Sequence, residues 1–442
     1  MTEPVNNRLR VELSQLVGEN GILHDDQDNL YGVDDLLPKA VTLPDSVGEI
    51  RDVLNYAADN KLSVIPAGSG TKLGIGNPPE RVDLVVSTLG LNEVLEYEPG
   101  DLTATVQSGV RLADLQAKLA ENGQCLPFDP PYLNRATLGG IVAANSSGPS
   151  SLYYGNSRNR VLGMQLVQSN GAAVKCGGKV VKNVAGYDLN KLYIGSFGTL
   201  GIITEITFKL NPLPEVERTM LITFKSVTQA SRAAIEIADS QLLPIFLNLI
   251  VGGAPSVDIV DPCLVIGIDG HHETVDWQMN QIRAAANLND ATGVEVKDGA
   301  YQRDVRTSMS AFPESNPQMV VCKAHLRMTD VEKFITAALD QCSDLLDLRV
   351  LGLIGNGVVY FAFSVPSADT ASAKFASIVI AELRNHARNV GGNLIVESAP
   401  TSIKRHVDVW GEIGSSLKLM QQIKARLDPL NLFCPGRFVS GI

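Results

Sequence analysis

The chain has 442 residues, 45% hydrophobic and 19% charged, which excludes intrinsic disorder and, at about 150 residues per domain, predicts two or three domains. With Lys+Arg 37 against Asp+Glu 48, the formal net charge of -11 disfavours nucleic acid or anionic lipid as a primary ligand. No apolar run approaches the roughly 20 residues needed to span a bilayer; the densest stretch, Leu242 to Val251, is broken by Pro244 and Asn248. The opening MTEPVNNRLR lacks the apolar core of a secretory signal, so a cytoplasmic chain is expected. Cys125, Cys176, Cys263, Cys322, Cys342 and Cys434 contain no C-x-x-C pair, which argues against a zinc ribbon, an iron–sulfur cluster or a disulfide framework. They read as buried thiols.

Leu9, Leu13, Leu16 and Val17 have helical spacing and stop at Gly18. Residues 46–59 predict a stronger helix: Ser46 and Glu49 make a capping box, and Ile50, Val53, Leu54, Ala57 and Ala58 share a face. LSVIP reads as a short buried strand running into AGSGTKLGIG (67–76). Strand patterns follow at 82–88 and 102–110, then a helix, RLADLQAKLAEN, that stops at Gly123. A second small-residue segment, ATLGGIVAANSSG, occupies 136–148. VLGMQLVQS and AAVKC flank Asn170-Gly171, a strong hairpin signal. A third segment, GSFGTLGIITEITF (195–208), leads into a strand, and after NPLPE (211–215) the glycine clusters thin out.

From 216 to 399 the element order repeats. Strand 219–224, helix 226–240, strands near 245–251 and 264–270 and helix 273–288 are followed by strand 319–327, helix 331–342, strands near 348–354 and 358–365, helix 368–390 and strand 393–399. Two split β-α-β units side by side predict an antiparallel sheet with helices on one face. A helical IGSSLKLMQQIKARL and then DPLNLFCPGRF close the sequence, and this tail is expected to return to the first domain.

Gly68, Gly70, Gly74 and Gly76 give G-x-G-x-x-x-G-x-G, neither the G-x-G-x-x-G of a dinucleotide fold nor a P-loop, so this loop alone reads equally well as an ordinary glycine-rich turn. Together, PAGSGTKL (66–73), ATLGGIVAANSSG (136–148) and GGKVVKNVAGYDLNKLYIGSFGTLGIITE (177–205) resemble the flavin-binding domain of the vanillyl-alcohol-oxidase-type (PCMH-type) FAD-linked oxidoreductases, over about residues 40–215. KNVAGYDLNKL, Trp410-Gly411 and the closing DP...PGRF are most similar to the FAD-binding subunits of bacterial glycolate oxidase.

That resemblance implies an α+β fold. A two-part PCMH-type FAD-binding domain (41–215) would follow an N-terminal helix and lead-in (1–40). A cap or substrate domain with a ferredoxin-like duplication and an antiparallel sheet (216–399) would come next, and a C-terminal segment (400–442) would return to the FAD domain. It also implies a first loop opened by Pro66, in which the amides of Ala67, Gly68, Ser69 and Gly70 and the hydroxyls of Ser69 and Thr71 surround the FAD pyrophosphate. Thr137, Leu138, Gly139 and Gly140 would pass along the ribityl chain and flavin, with Ala143, Ala144, Asn145, Ser147 and Gly148 continuing the contact. Tyr154, Gly155 and Arg158 occupy the family's Y-G-x-x-R position, and Gly201, Ile202 and Ile203 would lie beside the adenine.

Three departures bear on chemistry. Phe197 stands where the dehydrogenase branch has glutamate. Thr71 stands where some relatives carry histidine, and no histidine occurs within residues 25–270, so FAD is expected to be non-covalent. Cys125, the one thiol expected near a flavin edge, reads as a buried structural cysteine. Where related dehydrogenases carry a histidine metal motif and a catalytic histidine, this chain reads GLIGNGVVYF (352–361) and VESAPTSIKRHVDVWG (396–411). The first has no histidine, and His406 in the second lacks an E-H-G context.

His271-His272-Glu273 reads as a solvent-facing helix start, not a metal site, and His325 as packed or half-exposed. No catalytic residue and no metal is therefore assigned, and Lys404, Arg405 and Arg437 are the candidate cations for a substrate carboxylate.

The function implied is that of an FAD-containing subunit of a glycolate-oxidase-like complex, supporting oxidation of a small 2-hydroxy acid to a 2-oxo acid. A sister flavoprotein subunit and an iron–sulfur subunit would be its partners, and any membrane association would run through them. The alternatives are a self-sufficient FAD-linked dehydrogenase of another hydroxy acid or alcohol, and a non-catalytic subunit that holds FAD structurally.

Overall fold

Strands β1 (Ala40–Thr42), β2 (Val64–Ala67) and β3 (Leu84–Ser87) form a parallel sheet in the order β1-β3-β2. This is a computed structural model, and it describes residues 3–179, 187–253, 257, 259, 261–312, 318–342, 345–367 and 369–442. Residues 180–186 of the third glycine-rich segment, and residue 368 of the helix expected over 368–390, lie outside the described residues. The helix Val47–Asp59 buries Ile50, Val53, Leu54 and Ala57 against Val64, Leu84 and Val86 of the parallel sheet. Ser46 Oγ accepts its Glu49 N–H at 3.2 Å. The Glu49 carboxylate takes the N–H of Asp45 at 2.9 Å instead of that of Ser46, so the capping box closes one residue early.

Strands β4 (Val94–Glu98), β5 (Thr103–Gln107), β6 (Gln124–Cys125), β7 (Val161–Val167), β8 (Ala173–Gly177), β9 (Ile202–Lys209) and β10 (Asn211–Pro212) follow. Five of them make an antiparallel sheet in the order β4-β5-β9-β7-β8, with Asn170-Gly171 turning β7 into β8, and β6 pairs with β10.

The remaining strands are β11 (Val216–Thr223), β12 (Phe246–Val251), β13 (Cys263–Gly270), β14 (Gly293–Lys297), β15 (Met319–His325), β16 (Leu346–Leu353), β17 (Val358–Ser364) and β18 (Asn393–Ser398). They form one eight-stranded antiparallel sheet in the order β14-β11-β13-β12-β16-β17-β15-β18. Outward from its centre each half repeats its second, third, first and fourth strand, so the duplication is carried in the sheet order.

Alternation of side chains divides this sheet into two faces. Met220, Ile222, Leu264, Ile266, Phe361 and Phe363 pack under the helices Val227–Ala238, His272–Leu288, Val331–Gln341 and Thr370–Asn389. Leu221, Val265, Val321, Tyr360 and Ala362 point to the other face, where Val305 and Met309 of helix Gly299–Ser310 cover them. The expectation of helices on one face is corrected here: this fifth helix, like strand β14, is too polar to announce itself by apolar periodicity.

The C-terminal residues complete the first sheet. Val64 donates to Leu432 O at 2.8 Å and Cys434 donates to Val64 O at 2.9 Å, which lays Phe433 beside β2. Lys424 of helix Leu417–Leu427 fastens this return, donating to Asp428 at 2.7 Å, Phe433 O at 2.8 Å and Thr199 O at 3.0 Å. Its side chain is 8% exposed and that of Asp428 is fully buried. Lys424→Met therefore leaves a carboxylate buried without its partner and should destabilise the chain by about 3–5 kcal/mol, read as a shift in the urea midpoint.

Candidate functional site

A cleft runs between the parallel sheet, the five-stranded sheet and the returning tail. Its floor is the loop after β2, which reverses at Gly70 (φ 78) in the left-handed region open to glycine. The loop's carbonyls are held by hydroxyls: Tyr31 Oη donates to Gly68 O at 3.1 Å, Ser87 Oγ to the same oxygen at 3.0 Å, and Thr88 Oγ1 to Ala67 O at 3.4 Å. The backbone N–H groups of Gly68, Ser69, Gly70 and Thr71 find no acceptor among the described residues. Successive unpaired amides of this kind make an anion nest, so a diphosphate fits here without a lysine.

The opposite wall is the helix Leu138–Ala144, capped by Thr137, whose Oγ1 accepts from Gly140 N at 3.3 Å. Its end is laced to the third segment: Gly195 donates to Val142 O at 3.1 Å and Phe197 to Ala143 O at 2.9 Å. Beside that junction, behind the cleft wall, the buried Asn145 Oδ1 has no partner. Free amides and walls of glycine and alanine together fit an FAD.

The structure brings Pro66, Ala67, Gly68, Ser69, Gly70, Thr71, Thr137, Gly139, Gly140, Ala143, Ala144, Gly201, Ile202 and Ile203 into this one cleft. The other expected residues do not line it. Leu138 is wholly buried in the core of the five-stranded sheet, because its side chain leaves the helix on the side away from the cleft. Asn145 and Ser147 are half-buried in the turn after the helix, and Gly148 packs tightly on the backbone of Asp129. Tyr154 instead reaches the cap, donating to Asp269 Oδ2 at 2.6 Å in a second cavity shared with Cys125, Asp129 and Arg306. Gly155 packs on Asn159, and the exposed Arg158 donates to Lys191 O at 2.8 Å. Ser69 Oγ donates to Arg135 O at 2.6 Å.

Three cations were expected to wait for a carboxylate, and two are occupied elsewhere. Lys404 is buried against Asp34 and donates to Gly74 O at 2.9 Å; Arg405 pairs at the surface with Asp35 at 3.0 Å. Arg437 does line the cleft, but its Nη2 is committed to the carbonyls of Leu73 and Ile75, which pins the first loop to the tail. His406 and His325 are exposed, and His271 Nδ1 meets Glu215 at 2.8 Å on the surface. Cys125 lies outside the cleft, with its thiol pushed up to about 11 by burial. Cys434 is the thiol that lines it, and burial raises that one too.

Lys72, in the first loop, also lines the cleft, and it pairs there with a residue of the cap sheet. Lys72 Nζ meets Glu397 Oε1 of β18 at 3.1 Å, the two side chains 19% and 9% exposed. Burial pushes the Glu397 carboxyl up, but Lys72 and Lys323 of β15 outweigh it and hold the group below the ordinary carboxylate range. Lys323 Nζ lies 5.3 Å from the centre of the Tyr360 ring of β17, and burial raises the Tyr360 phenol. Lys72 was legible only as the residue after the nest, and Glu397 only as part of VESAP; their sequence separation of 325 hides the pair.

Residues 38–177 match the family model described as an FAD binding domain, and residues 213–438 match the one described as the C-terminal domain of FAD linked oxidases. The chain belongs to the FAD-linked oxidases. It is similar to the Bacillus subtilis glycolate oxidase subunit GlcD, at 28% identity over 91% of this chain and 89% of that protein. It is also similar to D-2-hydroxyglutarate dehydrogenase of Xanthomonas citri pv. viticola, at 35% identity over 90% and 89%. The Escherichia coli glycolate oxidase subunit GlcE matches at 36% identity over 44% of this chain and 55% of that protein. Among solved structures, p-cresol methylhydroxylase superposes with a TM-score of 0.77 at 17% identity, over 98% of this chain and 96% of that one, the fold shared with this oxidase. Like its family, this FAD-linked oxidase is an FAD-dependent oxidoreductase. Among its described residues no helix is long and apolar enough to cross a membrane.

Proposed function

We propose that this FAD-linked oxidase supports oxidation of a small 2-hydroxy acid to a 2-oxo acid as a flavoprotein of a glycolate-oxidase-like complex. The observation that carries the reading is the ion pair from Lys72, which lines the cleft, to Glu397 of the cap sheet, with Lys323 and Tyr360 of the same sheet beside it. The names of the relatives, glycolate oxidase subunits and a 2-hydroxyglutarate dehydrogenase, support the substrate class. In this reading residues 41–215 and 400–442 hold FAD, and residues 216–399 supply the substrate side.

Bound FAD supplies the two-electron acceptor. The nest of Gly68 to Thr71 holds its pyrophosphate, Gly139 and Gly140 allow close approach, and Gly201 to Ile203 border its adenine. Lys323, which has no ion pair within 4.0 Å among the described residues, takes the substrate carboxylate, and Glu397 stands beside it as the ionised acceptor for the hydroxyl. A sister flavoprotein and an iron–sulfur protein are the partners proposed. The similarity to GlcD and GlcE subunits supports the first of these. The same cluster also favours a second reading, a dehydrogenase that turns over alone, because both a carboxylate-binding cation and an acceptor lie within this chain.

The test is anaerobic bleaching of the bound flavin by glycolate, D-lactate and D-2-hydroxyglutarate, with and without co-expressed partners. Reduction that needs the partners supports the complex, and rapid reduction of the isolated chain selects the second reading. A flavin that no 2-hydroxy acid reduces in either setting refutes the substrate class.

A further inference from the structure

A second cavity, of about 230 Å³, lies between the FAD-binding half and the cap and shares no lining residue with the cleft. One side is built by Phe128, Asp129, Ser150 and Tyr154, the other by Glu217 of β11, Asp269 of β13 and Arg306 of helix Gly299–Ser310. A water molecule fills about 30 Å³ of the liquid, so the space admits a small organic molecule.

Charges of both signs face this space without neutralising one another. Arg306 Nη1 stands 3.9 Å from Glu217 Oε1, beyond hydrogen-bond reach, and Glu217 is already taken by Arg303 at 2.7 Å. Among the described residues the Arg306 guanidinium donates no hydrogen bond. The acids are in the opposite position. Asp129, 8% exposed, accepts the Ser150 N–H at 2.8 Å, and Asp269 accepts the Tyr154 hydroxyl at 2.6 Å. Neither carboxyl has a cation within 4.0 Å among the described residues, Arg306 included. Burial pushes both above the ordinary carboxylate range, and the charge of Arg306 offsets it only in part. The Ser150 hydroxyl lies beside Asp129 yet meets no partner in hydrogen-bonding geometry.

A guanidinium without an acceptor, carboxyls without a cation and an unspent hydroxyl around one cavity make an incomplete network, and buried polar groups left so are costly. Water satisfies hydrogen bonds but brings no charge. No group of three His, Cys, Asp or Glu among the described residues could hold a metal ion, and Arg306 would repel one. A molecule with one charge of each sign completes the network.

We propose that this cavity binds a small α-amino acid, its carboxylate on Arg306 and its ammonium on Asp269 and Asp129, at a site separate from the cleft. The rest of the wall includes Pro127, Phe128 and Pro214, which suits a short aliphatic side chain. Such a ligand touches both halves of the molecule, and so reinforces the Tyr154–Asp269 hydrogen bond that already joins them.

The test is isothermal titration of the full-length chain with glycine and with both enantiomers of alanine and valine, in a buffer free of carboxylates and amines. One saturable site per chain is expected for at least one of them. Acetate and methylamine, which carry a single charge each, should bind at least about tenfold more weakly. Arg306→Gln and Asp269→Asn should each weaken the amino acid by a similar factor, whereas Lys323→Met, which alters the proposed substrate side, should leave it as in wild type. Asp269→Asn keeps an acceptor for Tyr154, so it decides the matter if Arg306→Gln does not fold. Three results overturn the site: no saturable binding of any of these amino acids, acetate or methylamine binding as tightly as the amino acid, or binding lost in Lys323→Met and kept in the Arg306 and Asp269 variants.

Discussion

Replacing Gly70 by valine is expected to give a folded chain that carries no FAD. Gly70 sits at φ 78, where a β-branched residue is strained by about 1–3 kcal/mol, and an added Cβ would come within 3.1 Å of Leu30 O and 3.4 Å of Leu73 Cδ1. The loop relieves that strain by rotating away from the left-handed region, and the rotation scatters the four amides from Gly68 to Thr71 that no protein acceptor uses. Gly74→Val is the control. It lies in the same glycine-rich run, but its φ is not positive and an added Cβ meets nothing within 4 Å, so it should keep its cofactor. The measurement is the flavin-to-protein ratio after gel filtration, with circular dichroism reporting the fold. One FAD per chain in Gly70→Val would show that the nest does not hold the pyrophosphate.

Lys72→Met should cost about 3–5 kcal/mol near neutral pH, because it removes the ion-pair partner of the buried Glu397 carboxylate and leaves it only the more distant charge of Lys323. The sign with pH follows from the depressed Glu397 pKa. A carboxyl held below its unfolded value of about 4.3 contributes stability that is fully present above that value and is lost as pH falls through the folded one. The gap between wild type and Lys72→Met should therefore narrow below about pH 4, and Lys72→Met with Glu397→Gln together should be less damaging than Lys72→Met alone. Urea denaturation of wild type, Lys72→Met and the double variant near pH 7 and about pH 3.5 reads both effects. A penalty independent of pH would mean that Lys72 acts through packing of its methylenes and not through charge.

The parts of this molecule that could be read from the sequence are those written locally. Three small-residue segments announce a cofactor because close approach to a flat ligand selects glycine and alanine one residue at a time. The hairpin at Asn170-Gly171 is a two-residue signal of the same kind. Strand β14 and helix Gly299–Ser310 escaped because GVEVK and GAYQRDVRTSMS show no sustained apolar period; they become visible only when β11 is seen to need an outer neighbour and the second sheet face a cover. The working side of the cleft escaped for another reason. Lys72 and Glu397 are 325 positions apart, and nothing in the neighbouring residues marks the pair. Lys404 and Arg405 misled in the opposite way: two adjacent cations suggested an anion site, yet Asp34 and Asp35, far upstream, had already claimed them.

The return of the tail to β2 has a temporal meaning as well. Leu73 and Arg437, which pin the cleft, are 364 positions apart, and Val64 finds its neighbour only in residues 432–434. On a ribosome, domains usually fold in the order in which they emerge. Here the first sheet waits, one edge unpaired, while the whole eight-stranded cap is synthesised and folds. The state most exposed to proteolysis or to strand pairing between copies is therefore the one in which the tail has not yet covered the β2 edge.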